Sequence, residues 1–242
     1  MSGTSDLSPI TLSDHTAARK PAVPTGIGSK FTADGRALIY RGNTILSRLP
    51  AAHPLYGWVS DFLDSLRANP VAAKLAVLPA SSMHMTILGI ANDAMRSPGP
   101  WPADLAMDAS MDDCDAFVRR RLGQFPGIEQ LHFDMRLGDL VIDNAALGFH
   151  LIPRTAETEA QMRALRNDLA SHFQVRRPGH DGFQFHLGIA YLRDWLTPDD
   201  QQALARILAS AVERLTPQAA TIRFPTPELC SFQTMLEYRT LA

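Results

Sequence analysis

With 242 residues, 45% of them apolar, the chain is long enough to bury one large core or two small lobes sharing it. A net charge of −2 excludes an overall basic field that would draw in long nucleic acid by counterion release, while leaving room for a small anionic ligand. Two distant cysteines, Cys114 and Cys230, exclude a disulfide framework and a thiolate zinc site, and no apolar run nears the roughly 20 residues of a membrane span. With no basic and apolar leader at the N-terminus, the reading is a cytoplasmic protein, expected to be a monomer without membrane contact.

In chain order, residues 1–30 mix Ser, Thr, Pro, Gly and charges without apolar periodicity and read as an irregular N-terminal arm, not the first place to seek chemistry. Residues 31–242 read as a single bilobal domain. Strand-like runs at Ala37 to Tyr40 and Asn43 to Ser47 precede a helix whose Leu55, Trp58, Val59, Phe62, Leu63 and Leu66 fall on one stripe, with Pro54 in its first turn and Asn69-Pro70 ending it. Leu75 to Leu78 and Met83 to Ile90 read as strands, so the first half is β-β-α-β-β. Residues 92–110, around Trp101, read as a connecting loop. The following segment runs from Asp112, Asp113 and Asp115 to Arg119, Arg120 and Arg121, the charge order that suits a helix dipole.

In the second half, Leu131, Phe133, Met135 and Leu137 alternate, as do Leu147, Phe149 and Leu151, implying two half-buried strands. A helix carrying Met162, Leu165, Leu169 and Phe173 follows, then a strand from Phe183 to Leu192. Thr197-Pro198-Asp199-Asp200 is a helix start with an apolar stripe from Leu204 to Leu215, and Ala220 to Phe224 and Leu229 to Tyr238 close the chain as strands. Strands and helices are mixed but do not strictly alternate, which favours an α+β fold over a doubly wound one. The expected architecture is two pseudo-symmetric lobes of mostly antiparallel sheet, helices packed outside, with a central groove between the lobes.

The two halves end in similar strands, Met83-His84-Met85-Thr86-Ile87-Leu88 and Phe185-His186-Leu187-Gly188-Ile189-Ala190. Residues two apart on a strand share a face, so His84 points with Thr86, and His186 with Gly188 and Ala190. Two imidazoles flanking one phosphorus make an acid/base pair at neutral pH: one takes a proton from the attacking oxygen and the other gives one to the leaving oxygen. A threonine hydroxyl beside them can bind a non-bridging phosphoryl oxygen. None of this needs a metal or any other cofactor.

On His84-Met85-Thr86-Ile87 and His186-Leu187-Gly188-Ile189 the chain after residue 30 resembles the 2H phosphoesterase superfamily, marked by two H-Φ-[S/T]-Φ strands in pseudo-symmetric lobes, Φ being apolar. Members include 2′,3′-cyclic nucleotide phosphodiesterases and RNA 2′-5′ ligase-like proteins. The resemblance implies a metal-independent phosphodiesterase with His84 and His186 catalytic, Thr86 contacting phosphate, and a small phosphorylated nucleotide or RNA end as substrate. Gly188 departs from the pattern, so its part in substrate binding falls to backbone, water or another side chain. That departure motivates a rival reading, a catalytically weak nucleotide- or phosphate-binding protein on the same fold.

Other residues have plainer readings. His150, like His132, Asp134 and Arg136, reads first as part of a solvated sheet face. A metal-dependent enzyme using His84, His150, His186 and Asp134 is a further rival, without a recognisable ligand spacing. Alternation turns Tyr191 and Arg193 away from His186 unless a bulge intervenes. His172 and His180 read as surface residues, Arg119 to Arg121 as a solvated helix end, and Cys230 as a packed thiol. The polar stretch Tyr40 to Thr44 reads as a chain reversal that could also cover a ligand.

Overall fold

The computed structural model describes residues 9–126, 128 and 131–241. In chain order the elements are β1 (Leu12–Asp14), β2 (Gly42–Arg48), α1 (Pro54–Arg67), β3 (Leu75–Val77), β4 (His84–Asn92), α2 (Met111–Leu122), β5 (Phe133–Ile142) and β6 (Ala146–Pro153). They continue with α3 (Ala156–Phe173), β7 (His186–Leu192), α4 (Pro198–Val212), α5 (Pro217–Ala220), β8 (Thr221–Phe224), β9 (Glu228–Thr234) and β10 (Glu237–Thr240). The fold is α+β, as expected.

One open sheet runs through both halves in the order β1-β5-β6-β7-β4-β2-β9-β10, with β3 added to β7 and β8 to β5. Its pairings are antiparallel except for β1 on β5. The halves meet at β4 and β7, joined at the pair Met85 and Leu187. The echo of the sequence is an echo of structure: β2-α1-β3-β4 and β5-β6-α3-β7 each end on a histidine strand.

Local chemistry explains the helices. Thr197 and Asp200 form a capping box at α4, where a helix start was expected, and Ser110 with Asp113 forms another at α2. In α1 the stripe Leu55, Trp58, Val59, Phe62, Leu63 and Leu66 is buried, and Trp58 stacks on Phe62 while both meet Phe149 of β6. Helix α3 packs across β4, β5 and β6, α2 lies against β2 and β9, and α1 rests on α4 and α5. Met85, Ile87, Leu187 and Ile189 are fully buried in this apolar layer, so the opposite faces of β4 and β7 are left for the groove.

The structure corrects several element boundaries. Ala37 to Tyr40 is not a strand; a single bridge from Phe31 to Ala37 and a bond from Tyr40 N to Gln233 O hold it as a strap. The first half is therefore one strand short of the expected pattern. The arm contains a strand, β1, because Leu12–Asp14 finds the free edge of β5. Leu229 to Tyr238 is two strands rather than one, reversing so that Thr240 pairs with Cys230.

Candidate active site

A groove of about 610 Å³ lies over the junction of β4 and β7, within the size range of sites for nucleotide-sized ligands. His84, Thr86, His186 and Gly188 all line it. Both histidines are set by the same local device. His84 Nδ1 lies 2.7 Å from Ser82 O, and His186 Nδ1 lies 2.9 Å from Gln184 O. A carbonyl only accepts, so each Nδ1 carries the proton and each Nε2 is left for the groove. The carbonyl beneath His84 is held in turn by the short helical turn Ala80–Ser82, where Ser82 Oγ donates to Pro79 O at 2.8 Å.

The two rings differ in surroundings. His84 is partly buried, with the Tyr238 ring 4.2 Å away, and His186 is exposed, with Phe183 at 5.8 Å. Burial lowers the His84 pKa to about 4, the positive fields of His186 and Arg48 push the same way, and the Ser82 carbonyl opposes them. His84 is thus neutral at pH 7. Two further histidines extend the cluster. His150 pairs across β6 and β7 with His186, and His15 from the arm stands 6.0 Å from His150. Burial, then His15 and His186, lower the His150 pKa.

The bulges decide which further side chains reach the groove. On β4, Ile45 opposes Leu88 but Leu46 opposes Thr86, so Ile87 is an extra residue. On β7, Leu147 opposes Ala190 but Gly148 opposes Gly188, so Ile189 is the extra residue. Both bulges fall three residues after the histidine. The carbonyls of both bulge residues are bonded: buried Arg166 Nη1 donates to Ile87 O, and Leu78 N, just past β3, donates to Ile189 O at 2.9 Å. Beyond a bulge the alternation is reset, so Gly89 and Tyr191, five residues past each histidine, line the groove. The expectation that Tyr191 faces away is thereby corrected. Arg193 does lie off the groove, donating to Ala33 O at 3.0 Å.

Other expectations change too. His15 and Lys30 of the arm line the groove, as do Tyr40, Asn43 and Thr44 from the strap and the start of β2. His150 also lines the groove, while His132, Asp134 and Arg136 do not. His180 is buried rather than superficial, its Nε2 3.1 Å from Asn167 Oδ1, and His172 Nε2 bonds Arg121 O at 2.6 Å. Arg121 is tied down, with Asp104 at 2.8 Å, and both cysteines are buried free thiols. Among the described residues no three His, Cys, Asp or Glu side chains converge as a ligand set, and no helix is long and apolar enough to cross a membrane. Nothing in the sequence marked Lys30 or Arg177 for the groove. Tyr191 was findable only through its equivalence with Gly89 at the same offset from a histidine.

A mostly antiparallel α+β sheet with paired histidine strands facing one groove is the arrangement that the resemblance to the 2H phosphoesterase superfamily implies. Residues 30–146, just under half of the chain, match the family model 2H-phosphodiest, described as a domain of unknown function (DUF1868). That stretch contains His84 and Thr86; His186 lies beyond it. A crystal structure of a conserved protein of unknown function from Agrobacterium tumefaciens str. C58 matches with a TM-score of 0.82 at 27% identity, over 93% of this chain and 94% of that one. The structure of Kluyveromyces marxianus Usb1 with uridine monophosphate aligns over 86% of this chain and 98% of that one at 12% identity, with a TM-score of 0.42, too distant to bear on the site. No curated protein matches the chain.

Proposed function

We propose that the protein is a metal-independent phosphoesterase that opens a 2′,3′-cyclic phosphate, or a related small nucleotide or RNA-end phosphodiester, using His84 and His186. The observation that carries this reading is the pair of identically fixed imidazoles, each with Nδ1 held by a carbonyl and Nε2 free, lining one groove beside Thr86. His84, neutral because of its burial, acts as base: its Nε2 takes a proton from water as the water oxygen bonds to phosphorus. His186, the more exposed of the two, acts as acid and gives an Nε2 proton to the ribose oxygen as the P–O bond to that oxygen breaks. Proton exchange with solvent resets both rings. Thr86 donates to a non-bridging oxygen, and Gly188 leaves the matching position on β7 to backbone or water.

The rival reading, a phosphate-binding protein with little turnover, rests on that missing hydroxyl. Turnover of a panel of 2′,3′-cyclic nucleotides, with and without EDTA, separates the two. Activity resistant to EDTA and abolished by His84→Ala or His186→Ala supports the enzyme; tight binding without histidine-dependent turnover supports the rival. The two buried thiols fit a reducing, cytoplasmic setting, in which the protein would act as a monomer.

A further inference from the structure

A second cationic centre lies in the same groove, and the acid/base chemistry does not use it. Lys30 Nζ donates to Tyr191 Oη at 3.2 Å and stands 4.6 Å from the Tyr191 ring centroid and 5.3 Å from that of Tyr40. Arg177 lies across Gly89: a Cβ there would meet its Nη1 at 2.7 Å, so only glycine leaves the guanidinium this place. Its Nη2 donates to Ile90 O at 3.0 Å, and its buried Nε has no partner within the protein.

Among the described residues neither cation has a carboxylate within 4.0 Å. The carboxylate that lines the groove, Asp143, is engaged by the backbone, accepting from Ala145 N and Ala146 N at 2.7 Å each. Burial lowers the pKa of both Lys30 and Arg177; Tyr40 opposes it at both and Asp143 opposes it at Lys30, where the charge of Arg177 adds to the lowering. Two partly buried like charges without a directly paired carboxylate are costly to hold, and the cost is relieved when an anion arrives. Arg166 is excluded from this role. It is buried, its guanidinium stacked 3.9 Å from the Phe183 ring and donating to Ile87 O.

Resting on the phosphoesterase reading, we infer that Lys30 and Arg177, with the Tyr191 hydroxyl, bind a second phosphate of the substrate, so that the preferred ligand is a 5′-phosphorylated mono- or dinucleotide ending in a 2′,3′-cyclic phosphate. Because Ile87 is a bulge residue, Thr86 and Gly89 oppose Leu46 and Thr44, two residues or about 7 Å apart along β2, a separation suited to two phosphates on one short nucleotide. A fork of guanidinium N–H groups, an ammonium and a phenol offer donors to the three outer oxygens of a phosphomonoester.

The test is calorimetric titration of matched ligands with and without the 5′-phosphate, at mono- and dinucleotide length, into full-length protein carrying His84→Ala and His186→Ala so that the ligand is not consumed. The 5′-phosphate is expected to tighten binding at least about tenfold at one of the two lengths. That ratio should fall below about threefold after Lys30→Met or Arg177→Met, and should shrink as salt is raised from about 0.05 to 0.5 M. The salt series needs no further substitution, so it stands even where a variant folds poorly. A ratio near one at both lengths, no binding of the phosphorylated ligand, or a ratio that survives both substitutions overturns the inference. Wild-type turnover decides the underlying reading separately. A preserved ratio without histidine-dependent turnover sinks the phosphoesterase and leaves the subsite, whereas turnover with a ratio near one does the reverse.

Discussion

His84 and His186 share one fixation and differ in solvent access, and the chemistry follows from that difference. Because base and acid act as a unit, His84→Ala and His186→Ala should each cost about 10²–10⁴ in kcat, and the double variant little more, when assayed on a 2′,3′-cyclic nucleotide. Losses that add would show that the rings do not act on one phosphorus. Thr86→Ala removes a hydrogen bond and no proton transfer, so its cost should be smaller, roughly tenfold. At Gly188 a Cβ would meet only Leu78 Cδ1, at 3.9 Å, so Gly188→Ser fits without repacking and should raise kcat several-fold by restoring a phosphate donor. A stable Gly188→Ser protein with unchanged kcat would place Gly188 away from the phosphate.

Stability carries the same signature. As pH falls from 6.5 to about 4, the unfolded chain takes up a proton at His84 that the folded site refuses, so the contribution is present above pH 6.5 and is lost through this window. Because the ring edges onto groove water, the effect should be about 1–2 kcal/mol. Burial of His150 and His180 acts in the same direction. His84→Gln should flatten the urea-derived stability profile between pH 6.5 and 4; an unaltered slope would show that His84 protonates as readily in the folded protein.

Among the elements, β4 and β7 work as a matched pair because each has one extra residue at the same offset from its histidine. The bulge keeps Ile87 and Ile189 in the core while returning Gly89 and Tyr191 to the groove, so one strand serves both core and site. The glycines beside them serve different ends. At Gly42 a Cβ would strike Phe232 Cζ at 2.6 Å and the Ala91 carbonyl at 2.8 Å, and backbone cannot yield as a side chain can. Gly42→Ala should therefore lower stability by about 1–3 kcal/mol. At Gly89 the obstacle is the tip of the Arg177 side chain, which can swing away. Gly89→Ala should cost less than Gly42→Ala in a denaturant midpoint while weakening anion binding in the groove. Equal destabilisation by both would mean that Arg177 cannot move.

At the scale of the molecule, one sheet and one continuous apolar cluster span both halves, from Leu55 and Phe62 of α1 to Leu165 and Phe173 of α3 and Leu204 of α4. The halves share strand pairing through β4 and β7, and β3 of the first half is completed by β7 of the second. Neither half can bury its face alone. Chemical unfolding should accordingly be one transition, with far-ultraviolet circular dichroism and tryptophan fluorescence giving the same midpoint. Two separated transitions would show that the lobes fold independently.

Local signals determined much of this protein. Apolar periodicity marked α1, α3 and α4, the Thr197 to Asp200 cap opened its helix, and alternation placed β5 and β6, because these features depend on neighbours three or four residues away at most. The repeated His-Φ-x-Φ strands likewise identified His84, Thr86, His186 and Gly188 as one constellation, and all four line the groove. Tertiary structure decided the rest. Leu12–Asp14 became a strand only because β5 offered a free edge, and Ala37 to Tyr40 did not because its backbone is bridged and bonded elsewhere. A bulge shows itself only in register against a partner strand, so alternation turned Tyr191 the wrong way. Lys30, Tyr40 and Arg177 come from an arm, a strap and a loop without periodicity. What unites them is an electrostatic field and a glycine-sized space, neither of which any local stretch of sequence contains.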